Sequence, residues 1–237
     1  MLKEYISVDL EMSGLNPKED RIIEIGAVKV INGEVTEHFT RLVNPHRKIS
    51  PEIRNLTGLT NEALEDGVED WEAICEFIDF AGELPFVGHH IISDVSFIRT
   101  VAANHKVSVP NPVVDTLDIS RKLLSHEQKK SLEALCAYAE IDRSKGHRAY
   151  DDAYATHLLL QWMMKYPTAE EKWFLPRQLI YKVKKQGPIT KAQVRQLTEL
   201  IAYHKLDWDI EIGSLTKNEA SRKIDKILFT YGRIPKA

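Results

Sequence analysis

The sequence predicts an α/β domain on a mixed five-stranded sheet with flanking helices, followed by a small C-terminal helical hairpin. Near the N-terminus, two β-branched apolar runs are joined by Asn32-Gly33, a pair that is typical of tight β-hairpins. Farther along, short apolar runs alternate with segments of helical spacing, as in domains that cover a sheet with helices. Residues 167–237 contain two helix starts of the capping-box type.

The strands are predicted in order from the N-terminus. An apolar run begins at Tyr5, and residues 22–30 and 35–43 flank the hairpin signal, so the first three strands should form an antiparallel meander. Two short strands follow at 86–88 and 112–115. Helical patterns fill the other segments, at residues 50–66, 71–82, 95–105, 117–124, 131–140 and 148–165.

The chain is expected to have three parts: an α/β domain at 1–166, a basic linker at 167–187 and a small helical module at 188–237. The first boundary is placed at Pro167, because the residue before a proline disfavours helix. The helices of the module should start at Thr190 and Thr216, each followed three residues later by Gln or Glu. The run Lys182-Val-Lys-Lys185 suits either a solvated linker or a contact to a polyanion.

The composition is that of an ordinary globular chain, with 237 residues of which 43% are hydrophobic and 28% charged. No apolar run approaches the ~20 residues of a membrane span, so we expect no membrane contact. Cys75 and Cys136 both lie among apolar neighbours in helical patterns, which favours a cytoplasmic location with reduced thiols over a disulfide or a zinc site. Basic residues are concentrated in residues 167–237, which leaves residues 1–166 with an excess of acidic residues. An acidic domain suits cation binding.

Two carboxylates near the N-terminus lie two residues apart in Val8-Asp9-Leu10-Glu11. Residues i and i+2 of a strand point to the same face, so Asp9 and Glu11 should project side by side. Like charges this close repel each other unless a proton or a cation lies between them. The pair therefore predicts a metal site, although such a pair taken alone is more often a solvated strand end.

Asp94 and Asp152 lie at predicted transitions from strand to helix, and ligands tend to bind at such transitions in α/β folds. With Asp9 and Glu11 they make an all-oxygen set, which suits Mg²⁺ or Mn²⁺ and not zinc. Four carboxylates fit two ions about 3.5–4 Å apart, an arrangement that clamps the oxygens of a phosphodiester undergoing cleavage. His147 precedes a helix in a loop that contains Gly146, and with a reference pKa of ~6.5 it can accept a proton from an attacking water.

At these residues the sequence resembles the DnaQ-like 3′–5′ exonucleases of the DEDDh branch, the group of the proofreading epsilon subunit of bacterial DNA polymerase III. The resemblance covers about residues 4–165. Its three motifs are Val8-Asp9-Leu-Glu11-Met-Ser-Gly14, Gly88-His-His-Ile-Ile-Ser-Asp94 and His147-Arg-Ala-Tyr-Asp-Asp152-Ala153. The segments between them, Leu42–Pro45, Ile49-Ser50-Pro51 and Leu56–Thr60, also match the family. Three motifs in order are far more specific than any one of them.

The resemblance implies an RNase H-like fold and the metal-dependent release of 5′-mononucleotides from a free 3′ end. By position in the motifs, Asp9, Glu11 and Asp152 would hold the metal that activates water. Asp9 and Asp94 would share the second metal, and His147 would be the general base. The His-x-Ala-x-x-Asp-Ala spacing selects Asp152 over its neighbour Asp151, which is expected to complement the helix dipole.

Substrate contacts are implied at four further residues. Met12 and Ser13 in the first motif, together with Leu59, match family positions that contact the terminal nucleotide. In the second motif, His90 replaces the usual Asn and Ser93 replaces the usual Phe, so the substrate contacts of His90 should differ from those of the family.

The predicted substrate is nucleic acid with a free 3′ end, with DNA favoured and RNA possible. A hydrolase that trims RNA or short oligonucleotides is the alternative, because the first motif also resembles that of oligoribonucleases. A binding protein that has lost the chemistry would not need all five catalytic positions, and the spacing of His147 and Asp152 argues against an RNase H-type endonuclease. The C-terminal module could bind a polymerase or another protein.

Overall fold

The computed structural model describes residues 2–143, 147–181, 183, 187–208 and 211–235. The chain divides into two compact units. The first comprises residues 1–44 and 49–181, and the second comprises residues 45–48 and 182–237. The lysines of the predicted basic run, Lys182, Lys184 and Lys185, and Gly146 of the predicted catalytic loop lie outside the described residues.

The first unit is built on one five-stranded mixed sheet, which confirms the predicted fold class. Its strands are β1 (Tyr5–Met12), β2 (Ile22–Ile31), β3 (Glu34–Leu42), β4 (Phe86–Gly88) and β5 (Val113–Asp115). Their order across the sheet is β3-β2-β1-β4-β5. The first three strands form the expected antiparallel meander, whereas β4 and β5 run parallel to β1.

Seven helices of this unit are described: α1 (Pro51–Thr57), α2 (Asn61–Glu65), α3 (Asp70–Ala81), α4 (Ile92–Asn104), α5 (Thr116–Leu123), α6 (Leu132–Tyr138) and α7 (Ala149–Met164). Local caps explain several starts. The Ser50 hydroxyl accepts a hydrogen bond from Ile53 N, and the Thr60 hydroxyl accepts one from Ala63 N. Such side chains satisfy backbone donors that a helix leaves unpaired at its start.

The alternation of β1 divides the hydrophobic core into two layers. Ile6, Val8 and Leu10 pack in one cluster with residues of α3 and α4. Tyr5 points to the other face and packs in a second cluster, whose members include Val28, Val87, Val114, Ile119, Leu135, Leu160 and Met163. Helix α7 therefore covers the face to which the odd-numbered residues of β1 point.

The segment after α7 also packs on the first unit. Phe174, in a 3₁₀ turn at Glu171–Phe174, is buried in the second cluster. Val113 N donates to Arg177 O at 2.8 Å, and Arg177 N donates to Val113 O at 3.0 Å. Residues 167–181 of the predicted linker thus belong to the first unit in the structure. The predicted domain boundaries, as limits of independently folding parts, stay a prediction.

The second unit contains the two predicted C-terminal helices, α8 (Lys191–His204) and α9 (Lys217–Tyr231). Both helices begin with a complete capping box, at Thr190 with Gln193 and at Thr216 with Glu219. Their apolar faces pack in a common cluster that contains Leu197, Leu200, Ala220, Ile224 and Ile227.

Both cysteines are free, with Cys75 half-buried and Cys136 buried. Burial raises the pKa of the Cys136 thiol to about 11, so this thiol is protonated and unreactive near neutral pH. Within the described part of the chain, no helix is both long enough and apolar enough to cross a membrane.

Gly26 lets α7 approach the sheet more closely than any other residue would allow. A Cβ atom at this position would lie 2.0 Å from Tyr150 N and 2.1 Å from the carbonyl carbon of Ala149. These are backbone atoms, which cannot rotate away as the end of a side chain can. The start of α7 therefore rests directly on the backbone of β2.

We expect Gly26→Ala to lower the free energy of unfolding by about 3 kcal/mol, because the added methyl group must push α7 away from β2. Urea unfolding followed by circular dichroism measures the change. Gly187→Ala is the matched control, because no atom lies within 4 Å of its added Cβ, and it should change stability by less than about 1 kcal/mol. Equal stability of Gly26→Ala and the wild type would contradict the direct packing.

Candidate active site

Asp9 and Glu11 lie on the face of β1 that α7 covers. On the same face, the Ser7 hydroxyl donates a hydrogen bond to Ala153 O at 2.7 Å, which ties this face to the helix. Asp9 is half-buried, and Glu11 is 8% exposed. The register places Asp9 opposite Gly26 and Glu11 opposite Glu24 on β2.

Asp94 is held in the first turn of α4, shortly after β4 ends. It is 4% exposed, and its Oδ1 atom accepts a hydrogen bond from Leu10 N at 3.0 Å. Leu10 lies between Asp9 and Glu11 in the chain, so this bond brings the second motif to the first.

Asp152 is held in the first turn of α7 and is 5% exposed. Arg143 binds it through two hydrogen bonds, Nε to Oδ1 and Nη2 to Oδ2, each of 2.6 Å. His147 N also donates to Asp152 Oδ2, at 3.2 Å. Asp152 therefore accepts three hydrogen bonds, all of them from the segment that leads into its own helix.

His147 lies just before α7 in the left-handed backbone region, with φ of 67°. Glu11, His147 and Asp152 each offer one possible ligand atom, and these atoms lie within 4.8 Å of one another. The structure thus brings together residues that are widely separated in the chain.

Burial and mutual repulsion shape the electrostatics of these carboxylates. Burial is the largest cause that raises the pKa of Asp9 well above its ordinary value, and the charges of Asp94, Asp152 and Glu11 raise it further. Burial, followed by the charge of Asp152, raises the pKa of Glu11 to about 8. Burial also raises the pKa of Asp94 to about 7.

Arg143 is a cation that opposes these shifts, since its charge lowers the pKa of both Asp9 and Glu11. One guanidinium cannot balance four carboxylates, and the raised pKa values of Asp9, Glu11 and Asp94 show that full ionisation needs further positive charge. A group of desolvated oxygen donors that ionises fully only beside a cation fits hard divalent cations such as Mg²⁺ or Mn²⁺. The residues present are therefore suited to hold metal.

The four residues that are predicted to contact substrate lie in different surroundings in the structure. Met12 lies half-buried at the end of β1. The Ser13 hydroxyl accepts a hydrogen bond from Arg21 N at 2.9 Å, and His90 is exposed with φ of 65°. Leu59 is 5% exposed in a cluster with Ile23, Ile49 and Leu64. The substrate roles of Met12, Ser13, Leu59 and His90 stay predictions.

Neighbouring polar residues have structural partners. Asp115 Oδ1 caps α5 by accepting from Leu117 N at 2.9 Å, and it also accepts from His90 N at 2.9 Å. The ring of His89 is held by Thr116 Oγ1 and by Lys130 O. These contacts give Asp115 and His89 structural roles around the start of α5 and the loop after β4.

Sequence reasoning missed three residues beside the site: Arg143, Glu24 and Arg148. Glu24 stands between Ile23 and Ile25 in a strand whose apolar character indicates burial, and a charged residue in such a run is a usable signal. Arg143 precedes the third motif in a segment without periodicity, and its pairing with Asp152 cannot be inferred from spacing.

The fold and the carboxylate cluster assign the chain to the class of nucleases that are built on an RNase H-like sheet. A family model described as Exonuclease matches residues 6–160. DNA polymerase III PolC-type of Bacillus subtilis is 37% identical over 164 residues, which is 68% of this chain and 11% of that protein. The PolC-type protein of Caldanaerobacter subterraneus is 37% identical over 153 residues, again 11% of its length. The chain therefore spans about a tenth of these relatives.

Solved structures share the fold. Exonuclease X in complex with 5′ overhanging duplex DNA matches with a TM-score of 0.56 and 24% identity, over 72% of this chain and 96% of that chain. Escherichia coli exonuclease I in complex with a dA16 oligonucleotide matches with a TM-score of 0.60 and 20% identity, over 73% of this chain and 42% of that chain.

The family model and the sequence relatives show that the chain belongs to the DnaQ-like 3′–5′ exonuclease family, as its motifs predict. The predicted enzyme class is confirmed at the level of this family.

The raised pKa of Glu11 makes the stability of the metal-free protein depend on pH. The folded state holds the Glu11 proton up to about pH 8, whereas the unfolded state loses it near its ordinary pKa of 4.5. The free energy of unfolding should therefore fall by about 2 kcal/mol or more as the pH rises from about 5 to about 8. In Glu11→Gln this fall should be smaller, because the amide does not ionise.

Urea unfolding in EDTA at several pH values tests this expectation. Glu37→Gln, which alters an exposed carboxylate paired with Lys29, is the control and should keep the wild-type slope. Identical slopes for Glu11→Gln and the wild type would show that Glu11 does not carry the pH dependence.

Proposed function

We propose that this chain is a metal-dependent 3′–5′ exonuclease that releases 5′-mononucleotides from single-stranded or frayed 3′ ends of DNA. The observation that carries the proposal is the convergence of Glu11, His147 and Asp152 from β1 and the start of α7, with possible ligand atoms within 4.8 Å. Asp94 belongs with Asp9 and Glu11, because it is bound to the backbone N–H of Leu10 between them and its charge raises the pKa of Asp9. A single strand suits such a site because its end needs no unpairing.

The carboxylates would hold two divalent ions, Mg²⁺ or Mn²⁺. Asp9, Glu11 and Asp152 would bind one ion, and Asp9 and Asp94 would bind the other. Such ions supply Lewis-acid stabilisation of the charge that develops on the phosphate oxygens and the leaving group. Asp94 is oriented for this role by Leu10 N, and Asp152 by His147 N and Arg143.

His147 would act as general base. An imidazole can take a proton from an attacking water and release it after the bond breaks. The left-handed conformation of His147 turns the chain just before α7, so its backbone N–H binds Asp152. The backbone of His147 and the carboxylate of Asp152 are thereby held together.

DNA is favoured as the substrate because PolC-type relatives are DNA polymerases by name and the structural neighbours are DNA complexes. RNA remains the second candidate, since the first motif also resembles that of oligoribonucleases. The chain spans only 11% of the length of its PolC-type relatives. We therefore include in the proposal that α8 and α9 bind a polymerase or another protein. We also propose a cytoplasmic location.

The decisive experiment incubates DNA and RNA strands, labelled at the 3′ or the 5′ end, with Mg²⁺ or Mn²⁺. We expect mononucleotides from the 3′ end of DNA, and a loss of about 10²- to 10⁴-fold in kcat for His147→Ala. Faster degradation of RNA would favour the second candidate. No cleavage of any strand, with either metal, would refute the proposed activity.

A pair of neighbouring substitutions tests the assignment of Asp152. Asp152→Ala should abolish turnover, because it removes a metal ligand and the acceptor that orients His147. Asp151→Ala should keep most of the activity, because Asp151 lies in the first turn of α7, where it is expected to complement the helix dipole. Turnover of labelled DNA by the two variants is compared at saturating metal, and the reverse ranking would overturn the register of the third motif.

A further inference from the structure

Helix α7 begins without a local cap. Its N-cap residue, Arg148, has an extended backbone and makes no side-chain capping hydrogen bond. Instead, Ala149 N donates to Glu24 Oε2 at 3.0 Å, across a separation of 125 residues in the chain. A strand of the sheet therefore supplies the group that elsewhere comes from a Ser or Thr beside the helix.

Glu24 is held in place by Arg148. Glu24 is only 1% exposed, and it accepts Nη2 of Arg148 at 2.6 Å and Nε at 3.1 and 3.2 Å. A buried carboxylate requires such a partner, and a guanidinium fork fixes its plane as well as its position. Glu24 thus binds both the backbone and the side chain of the residues that start α7.

Gly26 completes this support two residues farther along β2. Its missing side chain leaves room for the backbone of Ala149 and Tyr150. One turn later, the Ser7 hydroxyl binds Ala153 O. Contacts from two adjacent strands therefore fix both the depth and the axial position of α7.

The supported residues lie directly between two members of the active site. His147 immediately precedes Arg148, and Asp152 N donates to Arg148 O at 3.0 Å to close the first turn. On the sheet, Glu24 lies opposite Glu11, and Gly26 lies opposite Asp9. A displacement of the start of α7 would therefore move His147 and Asp152 together, away from the carboxylates of β1.

We propose that Glu24 and Arg148 are positioning residues for catalysis, which set where α7 starts and so place His147 and Asp152 against Asp9 and Glu11. This inference rests on the proposed exonuclease function. A misplacement of about 1 Å in a catalytic group can lower a rate about 10²-fold. Because His147 and Asp152 act in the chemical step, replacing Glu24 or Arg148 should lower kcat and leave the binding of the strand unchanged.

The test compares Glu24→Gln with Arg148→Gln, which change the charge of the site in opposite directions. If the pair acts by position, both variants should lose about 10- to 100-fold in kcat at saturating Mg²⁺, with KM for a labelled DNA strand within about twofold. The double variant should lose no more than either single variant, because the two residues act as a unit. Glu37→Gln is the control and should keep wild-type kcat.

Opposite changes in kcat for the two single variants would show that the charge of Glu24 matters and its position does not, and would overturn the proposal. So would wild-type kcat in both. Because the Arg148 side chain is 43% exposed, Arg148→Gln should fold even if Glu24→Gln does not, and it then decides the question.

Amide NMR spectra of the metal-free protein give a second readout. Both variants should shift the signals of the described residues 147–153, with the signals of α8 and α9 unchanged. This readout separates the two hypotheses: an inactive wild type would contradict the proposed function, whereas unshifted signals in an active enzyme would contradict the positioning role.

Discussion

Repulsion among four carboxylates at the carboxyl end of the central strand, β1, is the constraint on which the rest of the structure depends. Asp9, Glu11, Asp94 and Asp152 are kept largely from water, so their charges are weakly screened. Asp9, Glu11 and Asp94 respond with raised pKa values. The fold keeps them together because their positions are set by backbone elements: one strand and the starts of two helices. Separating the charges would require moving β1, α4 or α7 away from a packed core.

The alternation of β1 makes this arrangement compatible with a hydrophobic interior. Ile6, Val8 and Leu10 bury their side chains in the cluster with α3 and α4, while Asp9 and Glu11 face α7. A shift of one residue in the pairing of β1 with β2 would exchange these faces and place carboxylates in the apolar layer. The core thus specifies the register, and the register places the carboxylates at the site.

The sequence predicts the parts of the site that depend on local patterns. Asp9 and Glu11 follow from a strand period of two, and the capping boxes at Thr190 and Thr216 follow from side chains three residues apart. Contacts between distant segments leave no such pattern. The bond from Ala149 N to Glu24 joins residues 125 apart, and the pairing of Val113 with Arg177 adds to the first unit a segment without strand periodicity. Neither contact can be derived without the fold.

The remote cap of α7 links the stability of the site to its geometry. A Ser or Thr at the N-cap would satisfy a backbone donor one or two residues after Ala149, but it would attach the helix to its own loop and not to the sheet. Glu24 attaches it to β2, although its charge also raises the pKa of Glu11 and so adds to the repulsion in the site. Arg148 offsets that charge while fixing the carboxylate plane. Removing Glu24 would ease the repulsion and release α7 at the same time, so the charge and the geometry of this site cannot be changed independently.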